Sequence, residues 1–299
     1  MLIYGEPGTG KSDLAIRFLN RYPRVESDIQ DTLPVFYFQI GEEQTVKAFA
    51  INLLESLGSP PSRRTSTVSS LMKDFKVKCK KLNVKLIIFD ELHNLIEERS
   101  DSVIKQIAIQ FKSLIDDLAI PIVFIGNTIS KILLQKQQEL ASRIPYRYRF
   151  KRFQVYDNNS FGDYCMFIDE YAKYYGFDKT VDLDDYEILY RIFAFTEGEL
   201  RQTSFLAQRA YELAKRKSEP ITVSTFAEVL ADFGFSNSMN PFLQKLDKLI
   251  LREYVSSDQW YSENRYTRKR KSIYQDSYNE YYLDEDLNLH SIKIKKSNE

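Results

Sequence analysis

Apolar positions along the chain follow two regimes, which change near residue 156. Before that point, short unbroken apolar runs occur at Val35 to Ile40, Val84 to Phe89 and Ile120 to Ile125. They are rich in β-branched and aromatic residues, the pattern of central parallel strands buried on both faces. Met1 to Tyr4 reads as a shorter strand, and Tyr146 to Phe153 supplies a fifth. Between the runs lie helical periods at Asp13 to Arg21, Thr45 to Leu57, Val68 to Lys81 and Ser102 to Leu118. In the first of these, Leu14, Phe18 and Leu19 make the apolar stripe. This alternation predicts an α/β fold with a parallel sheet between helices. Nothing precedes the first strand, so either the start is truncated or another segment covers that edge.

Beyond Tyr156 the period is helical throughout. Phe161 to Tyr175, Asp184 to Phe195, Glu199 to Lys217 and Thr222 to Phe233 read as four helices divided by Gly, Asp and Pro signals. Pro241 opens a last amphipathic segment, expected to be a helix with Phe242, Leu246, Leu249 and Ile250 on one face. From Ser256 the sequence is rich in Tyr, Ser and charge with almost no aliphatic period, which predicts a tail that is disordered or folds on a partner. The expected organisation is an α/β core over 1–155, a small all-α domain over 156–235, and a C-terminal helix with a polar tail over 236–299.

Charge narrows the picture. Among 299 residues, 42 Lys and Arg balance 42 Asp and Glu, so any surface for nucleic acid must be a local patch and not a global field. Cys79 and Cys165 stand far apart, which excludes a disulfide framework and a zinc site built on paired cysteines. No apolar run reaches the about 18 residues of a membrane span, and no signal peptide is visible. A cytoplasmic protein without a membrane partner is expected.

The chemistry is concentrated at strand ends. Gly5-Glu6-Pro7-Gly8-Thr9-Gly10-Lys11-Ser12 matches the phosphate-loop pattern G-x-x-x-x-G-K-[ST] in its working context, after a strand and before a helix. Glycines let backbone N–H groups converge on phosphate, and the helix N-terminus adds partial positive charge. Lys11 would reach the β- and γ-phosphates of ATP, and the Ser12 hydroxyl would bind Mg²⁺. The run Leu86 to Phe89 ends in Asp90 and Glu91, which suit a water-mediated Mg²⁺ ligand and a general base for water. That pair favours hydrolysis over transfer to a second substrate. Asn127, at the tip of another apolar run, could contact the γ-phosphate or the lytic water; a turn cap is the alternative. His93 reads as a structural or capping residue.

Together the phosphate loop, the acidic strand end, the polar strand tip and the trailing helical domain resemble the AAA+ ATPases. Glu139 to Pro145 is similar to their arginine-finger region, which implies that Arg143 reaches nucleotide on a neighbouring subunit. Glu197-Gly198-Glu199-Leu200-Arg201 resembles the start of the sensor-2 lid helix, which implies that Arg201 folds back on its own nucleotide. Within that group, the pattern from the phosphate loop through "LIIFDELHNL", "IPIVFIGNT", "ELASRIPYRYRFKRF" and "TEGELRQTSFLAQRAYELA" is similar to the TniB/TnsC-type transposition regulators over roughly residues 1–232. The resemblance implies a homo-oligomer, filament or ring, that forms with ATP on duplex DNA, marks a target, and recruits or activates a transposase together with a target-selector protein. Two departures stand out: family members usually carry a segment before the phosphate loop, and Asn127 stands where that family often has Thr.

A DNA surface of this kind needs cations and backbone amides facing phosphates without base readout. Lys47 at one helix entrance, and Arg63, Arg64 and Thr67 at the next, correspond to the family's pore-facing loops; ordinary solvated caps are the alternative. The basic stretch Arg143, Arg147, Arg149, Lys151 and Arg152 is better explained by a subunit interface and an exposed strand face. The run Arg265 to Lys271 interleaves Tyr266 with cations and offers a nonspecific DNA contact or a solubilising one. Two rivals remain on sequence grounds. One is a nucleotide switch that oligomerises on a protein ligand, although no sensor repeats are visible; the other is a small-molecule kinase, which fits the acidic pair poorly.

Overall fold

The computed structural model describes residues 1–28, 30–42, 45–59, 66–97, 99–156, 158–175, 186–255, 260–263, 270–273, 278–284 and 286–292. It divides into two compact units, residues 1–150 with 259–274, and residues 151–258 with 275–299.

The first unit runs β1 (Leu2–Gly5), α1 (Lys11–Asn20), β2 (Val35–Gln39), α2 (Val46–Ser56), α3 (Val68–Lys81), β3 (Leu86–Asp90), α4 (Asp101–Leu118), β4 (Ile122–Gly126), α5 (Lys131–Lys136), α6 (Gln138–Arg143) and β5 (Arg147–Phe150). Five strands pair in parallel in the order β2-β3-β4-β1-β5. Alternate strand residues serve opposite faces. Phe36, Phe38, Ile87, Phe89 and Phe124 join Phe49, Leu53, Phe75 and Phe111 in a large core, while Ile3, Val35, Ile88 and Ile125 pack with Ala15 of α1 in a smaller one.

The phase of α1 differs from the expected stripe. Lys11 and Ala15 are buried and Leu19 packs against the smaller core, whereas Leu14 and Phe18 are exposed. The helix register is pinned by Lys11: once its side chain turns inward at the first position, residues four and eight further on share that face. The short helices α5 and α6 were not anticipated from periodicity, being too brief to show one.

The second unit contains α7 (Asn158–Tyr175), α8 (Tyr186–Thr196), α9 (Leu200–Lys217) and α10 (Val223–Asp232), close to the predicted helices. It ends differently from expectation. Among the described residues no α-helix follows Pro241; a 3₁₀ turn at Leu246–Lys248 leads into β6 (Ile250–Tyr254). The Asn240 side chain accepts from the Phe242 N–H at 3.1 Å and donates to the Ala227 carbonyl. The buried Arg191 guanidinium donates to the Pro241 and Gln244 carbonyls. The Pro241 carbonyl, which would begin a helix, is thereby engaged elsewhere.

The described strands of the tail pair within the chain. After the two-stranded pairing of β7 (Trp260–Glu263) with β8 (Arg270–Ile273), β9 (Tyr278–Leu283) pairs antiparallel with β6 and with β10 (Leu289–Ser291). Leu251, Tyr281 and Leu283 enter the helical core, so tyrosine supplies the burial that aliphatic residues would have given. Most of the Arg265 to Lys271 run lies outside the described residues, and no side chain of it is described.

Candidate nucleotide site

The phosphate loop is shaped by three glycines for two reasons. Gly8 and Gly10 hold φ of 77° and 87°, the left-handed region. A Cβ on Gly5 would stand 2.0 Å from the Phe150 carbonyl oxygen on β5, so only glycine lets the loop leave the sheet there. Gly10 caps α1, and Lys11 is its first residue. Lys11 Nζ turns back into the loop and donates to the Glu6 carbonyl at 2.7 Å and to Thr9 Oγ1 at 3.2 Å. Thr9 Oγ1 in turn donates to the same carbonyl at 2.9 Å. Pro7 bridges Glu6 to Gly8, and Ser12, half-buried on the first turn of α1, follows the lysine.

Below the loop lies an ion pair that sequence reading missed. Glu6 is 4% exposed, and its Oε1 accepts from Arg149 Nη2 at 2.5 Å. The other carboxylate oxygen and Arg149 Nε are buried without a hydrogen-bond partner. Arg149 sits on β5 in register with Tyr4 of β1, which carries its guanidinium to the loop. The expectation of an exposed basic strand face is therefore corrected for Arg149. It is corrected also for Arg152, which faces Glu197 and Glu199 and lies 4.7 Å from the Tyr254 ring centre.

β4 separates the two motif-bearing strands. Phe124 is in register with Leu2 on one side and Phe89 on the other, so the loop, Asn127 and Asp90 emerge at the same sheet edge. Asp90 is 1% exposed; its Oδ1 accepts from the Glu91 N–H and its Oδ2 from the Tyr37 hydroxyl, each at 2.8 Å. Burial, and then the Asp90 charge, push the Tyr37 hydroxyl above its ordinary range, so it is a firm donor. Glu91 has φ of 57°, unusual for a non-glycine residue and typical of the strain found at functional sites. His93 Nε2 lies 3.1 Å from Glu91 Oε2.

Asn127 is buried; its Oδ1 accepts from the Ile129 N–H at 3.0 Å and its amide donates to Glu97 at 3.2 Å. The turn cap is thus made. Arg143 donates to Asp116 at 2.6 Å and to the Glu139 carbonyl at 2.7 Å, and that pairing holds the Asp116 carboxyl below its usual range. Arg201 is exposed on the first turn of α9 in the second unit. Lys47 is half-buried on the first turn of α2, where Thr45 caps by accepting from the Ala48 N–H. Thr67 forms a reciprocal capping box with Ser70 at the start of α3. Arg63 and Arg64 lie outside the described residues.

The residues fit a magnesium nucleotide. The loop offers glycine-defined backbone, a buried ammonium that donates to the Glu6 carbonyl and the Thr9 hydroxyl, and a helix N-terminus. Among the described residues no group of three His, Cys, Asp or Glu could hold a metal ion. One carboxylate and one hydroxyl suit Mg²⁺, which keeps much of its water when bound beside phosphates. No helix among the described residues is long and apolar enough to cross a membrane.

This sheet order with a phosphate loop after β1 and an acidic end on β3 is the AAA+ fold. It is similar to Cdc6p of Pyrobaculum aerophilum (15% identity, TM-score 0.54, 79% of this chain and 62% of that one). It is similar also to the Orc2 protein of Aeropyrum pernix in its ADPNP–ADP complexes (12% identity, TM-score 0.51, 77% of this chain and 61% of that one). The chain thus spans about three fifths of the length of these proteins. No curated protein matches its sequence. The family model "Bacterial TniB protein" matches residues 1–154, and the chain belongs to that family.

Proposed function

We propose that the protein is an ATPase that assembles on duplex DNA and regulates transposition, marking the target and recruiting or activating a transposase. The observation that carries this reading is the phosphate loop with its inward-turned Lys11, set one strand away from Asp90 and Glu91, in a chain of the TniB family. Bound Mg²⁺ would neutralise developing phosphate charge. Lys11 exchanges its contacts with the Glu6 carbonyl and the Thr9 hydroxyl for the β- and γ-phosphates, so nucleotide replaces contacts that the loop makes with itself. Ser12 and Asp90 would hold the metal, the carboxylate through water. Glu91 takes the proton of the attacking water, and Asn127 is the neutral donor near that water once its amide leaves Glu97.

Arg143 acts in trans on the neighbouring subunit's nucleotide. Its ion pair with Asp116 is partly exposed to solvent and weak, so it is released at little cost. Arg201 contacts the nucleotide of its own subunit. Lys47, Arg63, Arg64 and Thr67 face DNA phosphates, with helix N-termini adding to the cations. A target-selector protein and a cytoplasmic setting complete the reading.

The test is ATP hydrolysis and electron microscopy with and without duplex DNA. Rings or helices that need both nucleotide and DNA support the proposal. Assembly with nucleotide that ignores DNA and requires a protein ligand would replace it with the signalling-switch reading.

A further inference from the structure

We infer that Tyr37 is a positioning residue for the metal-holding carboxylate, a role that rests on Asp90 being the Mg²⁺ ligand of the proposed ATPase. Tyr37 stands on β2 in register with Ile88 of β3, on the sheet face that carries the smaller core. Two residues along β3 on that same face is Asp90, and the phenol spans the gap. Its hydroxyl is the hydrogen-bond donor to Oδ2, while Oδ1 is taken by the Glu91 N–H.

The arrangement holds both oxygens of the Asp90 carboxylate. A carboxylate turns about its last single bond unless both oxygens are held, and Asp90 is held from two sides at 2.8 Å. Each oxygen has a second lone pair, so Oδ2 can keep the phenol and still accept from a metal-bound water. If the hydroxyl is removed, Oδ2 faces the half-buried apolar side of the sheet without that donor. The carboxylate then rotates, and the bond from Oδ1 that ties down the left-handed Glu91 backbone weakens with it. No other described side chain is seen to hold Oδ2.

The experiment is Tyr37→Phe, which deletes one oxygen and keeps the ring. Affinity for a fluorescent ATP analogue is measured in EDTA and across a Mg²⁺ titration, alongside melting temperature. The expected result is a Mg²⁺ midpoint raised about five- to twentyfold, with affinity in EDTA unchanged within twofold. Tyr37→Leu, which also removes the ring, should raise the midpoint by the same factor even if it melts earlier, separating the hydroxyl from the packing. An unchanged midpoint in Tyr37→Phe overturns the inference, as does an equal loss of affinity with and without Mg²⁺. Asp90→Asn is the control for the underlying reading. If it leaves the Mg²⁺ midpoint untouched, Asp90 does not hold the metal, and the site assignment fails before Tyr37 is at issue.

Discussion

Arg149→Met tests whether the phosphate loop depends on the ion pair beneath it. The substitution keeps much of the aliphatic stem and leaves the Glu6 carboxylate, 4% exposed, without its partner. Stranding one member of a buried pair costs about 3–5 kcal/mol. The Arg149 side chain is 29% exposed, so water softens the loss, and about 3 kcal/mol is the expected destabilisation. For a unit of this size that lowers Tm by roughly 6–12 °C. Because the Glu6 carbonyl also receives Lys11 and Thr9, nucleotide affinity falls too, about tenfold if some 1.4 kcal/mol of loop ordering is lost. Glu6→Gln combined with Arg149→Met removes the stranded charge and should recover at least half the stability. Thermal melts and nucleotide titrations well below Tm measure both effects. A single variant within about 0.5 kcal/mol of wild type, or a double variant no better than the single, would refute the reasoning.

Four further expectations concern other residues. Glu91→Gln keeps shape but loses the base, so it should bind ATP normally while hydrolysis falls by about 10²-fold or more, read by steady-state turnover beside equilibrium binding. Arg143→Ala mixed with Lys11→Ala should regain part of the hydrolysis that each lacks alone; no recovery in folded, associating mixtures would place Arg143 on its own nucleotide. Replacing Arg63 and Arg64 with Ala should weaken DNA binding about equally across sequences and lower the log K against log salt slope by roughly 1–2. Asp284 is held down to about 2 by the His290 contact first and then by the Asn288 N–H, so its contribution to folding is present above the ordinary carboxylate range and lost as pH falls towards 2. Acid-unfolding curves of Asp284→Asn and wild type should therefore differ most above about pH 4, the difference shrinking as pH falls from there and vanishing only near pH 2.

Much of the first unit was legible because strands buried on both faces are unbroken apolar runs, and because a phosphate loop is local in sequence. The order β2-β3-β4-β1-β5 puts the strand that ends at the Asn127 tip between the two motif-bearing strands. What escaped was non-local or depended on side-chain length. Glu6 and Arg149 are 143 positions apart, and neither motif names both. Tyr37 sits in a run that reads as plain core, and only its hydroxyl distinguishes it from a phenylalanine. The C-terminal sheet was hidden because its inward residues include Tyr281 and Glu253, the latter accepting from the Val155 and Tyr156 N–H groups. A search for aliphatic alternation passes over such a strand.

The return of β9 and β10 to the second unit has a consequence for biosynthesis. All strands of the parallel sheet have been made by Phe150, whereas the partner of β6 is not complete until Leu283. At about 5–20 residues per second, roughly 7–27 s of translation separate the two events. For the last roughly 2–6 s of that interval, once it has been made, Leu251 has no strand to shelter it, and a ribosome stall in this stretch would leave the helical half open to chaperones and proteases. Shortening the chain at residue 255 would impose that half-made state permanently, so such a truncation would report on folding before it reported on DNA.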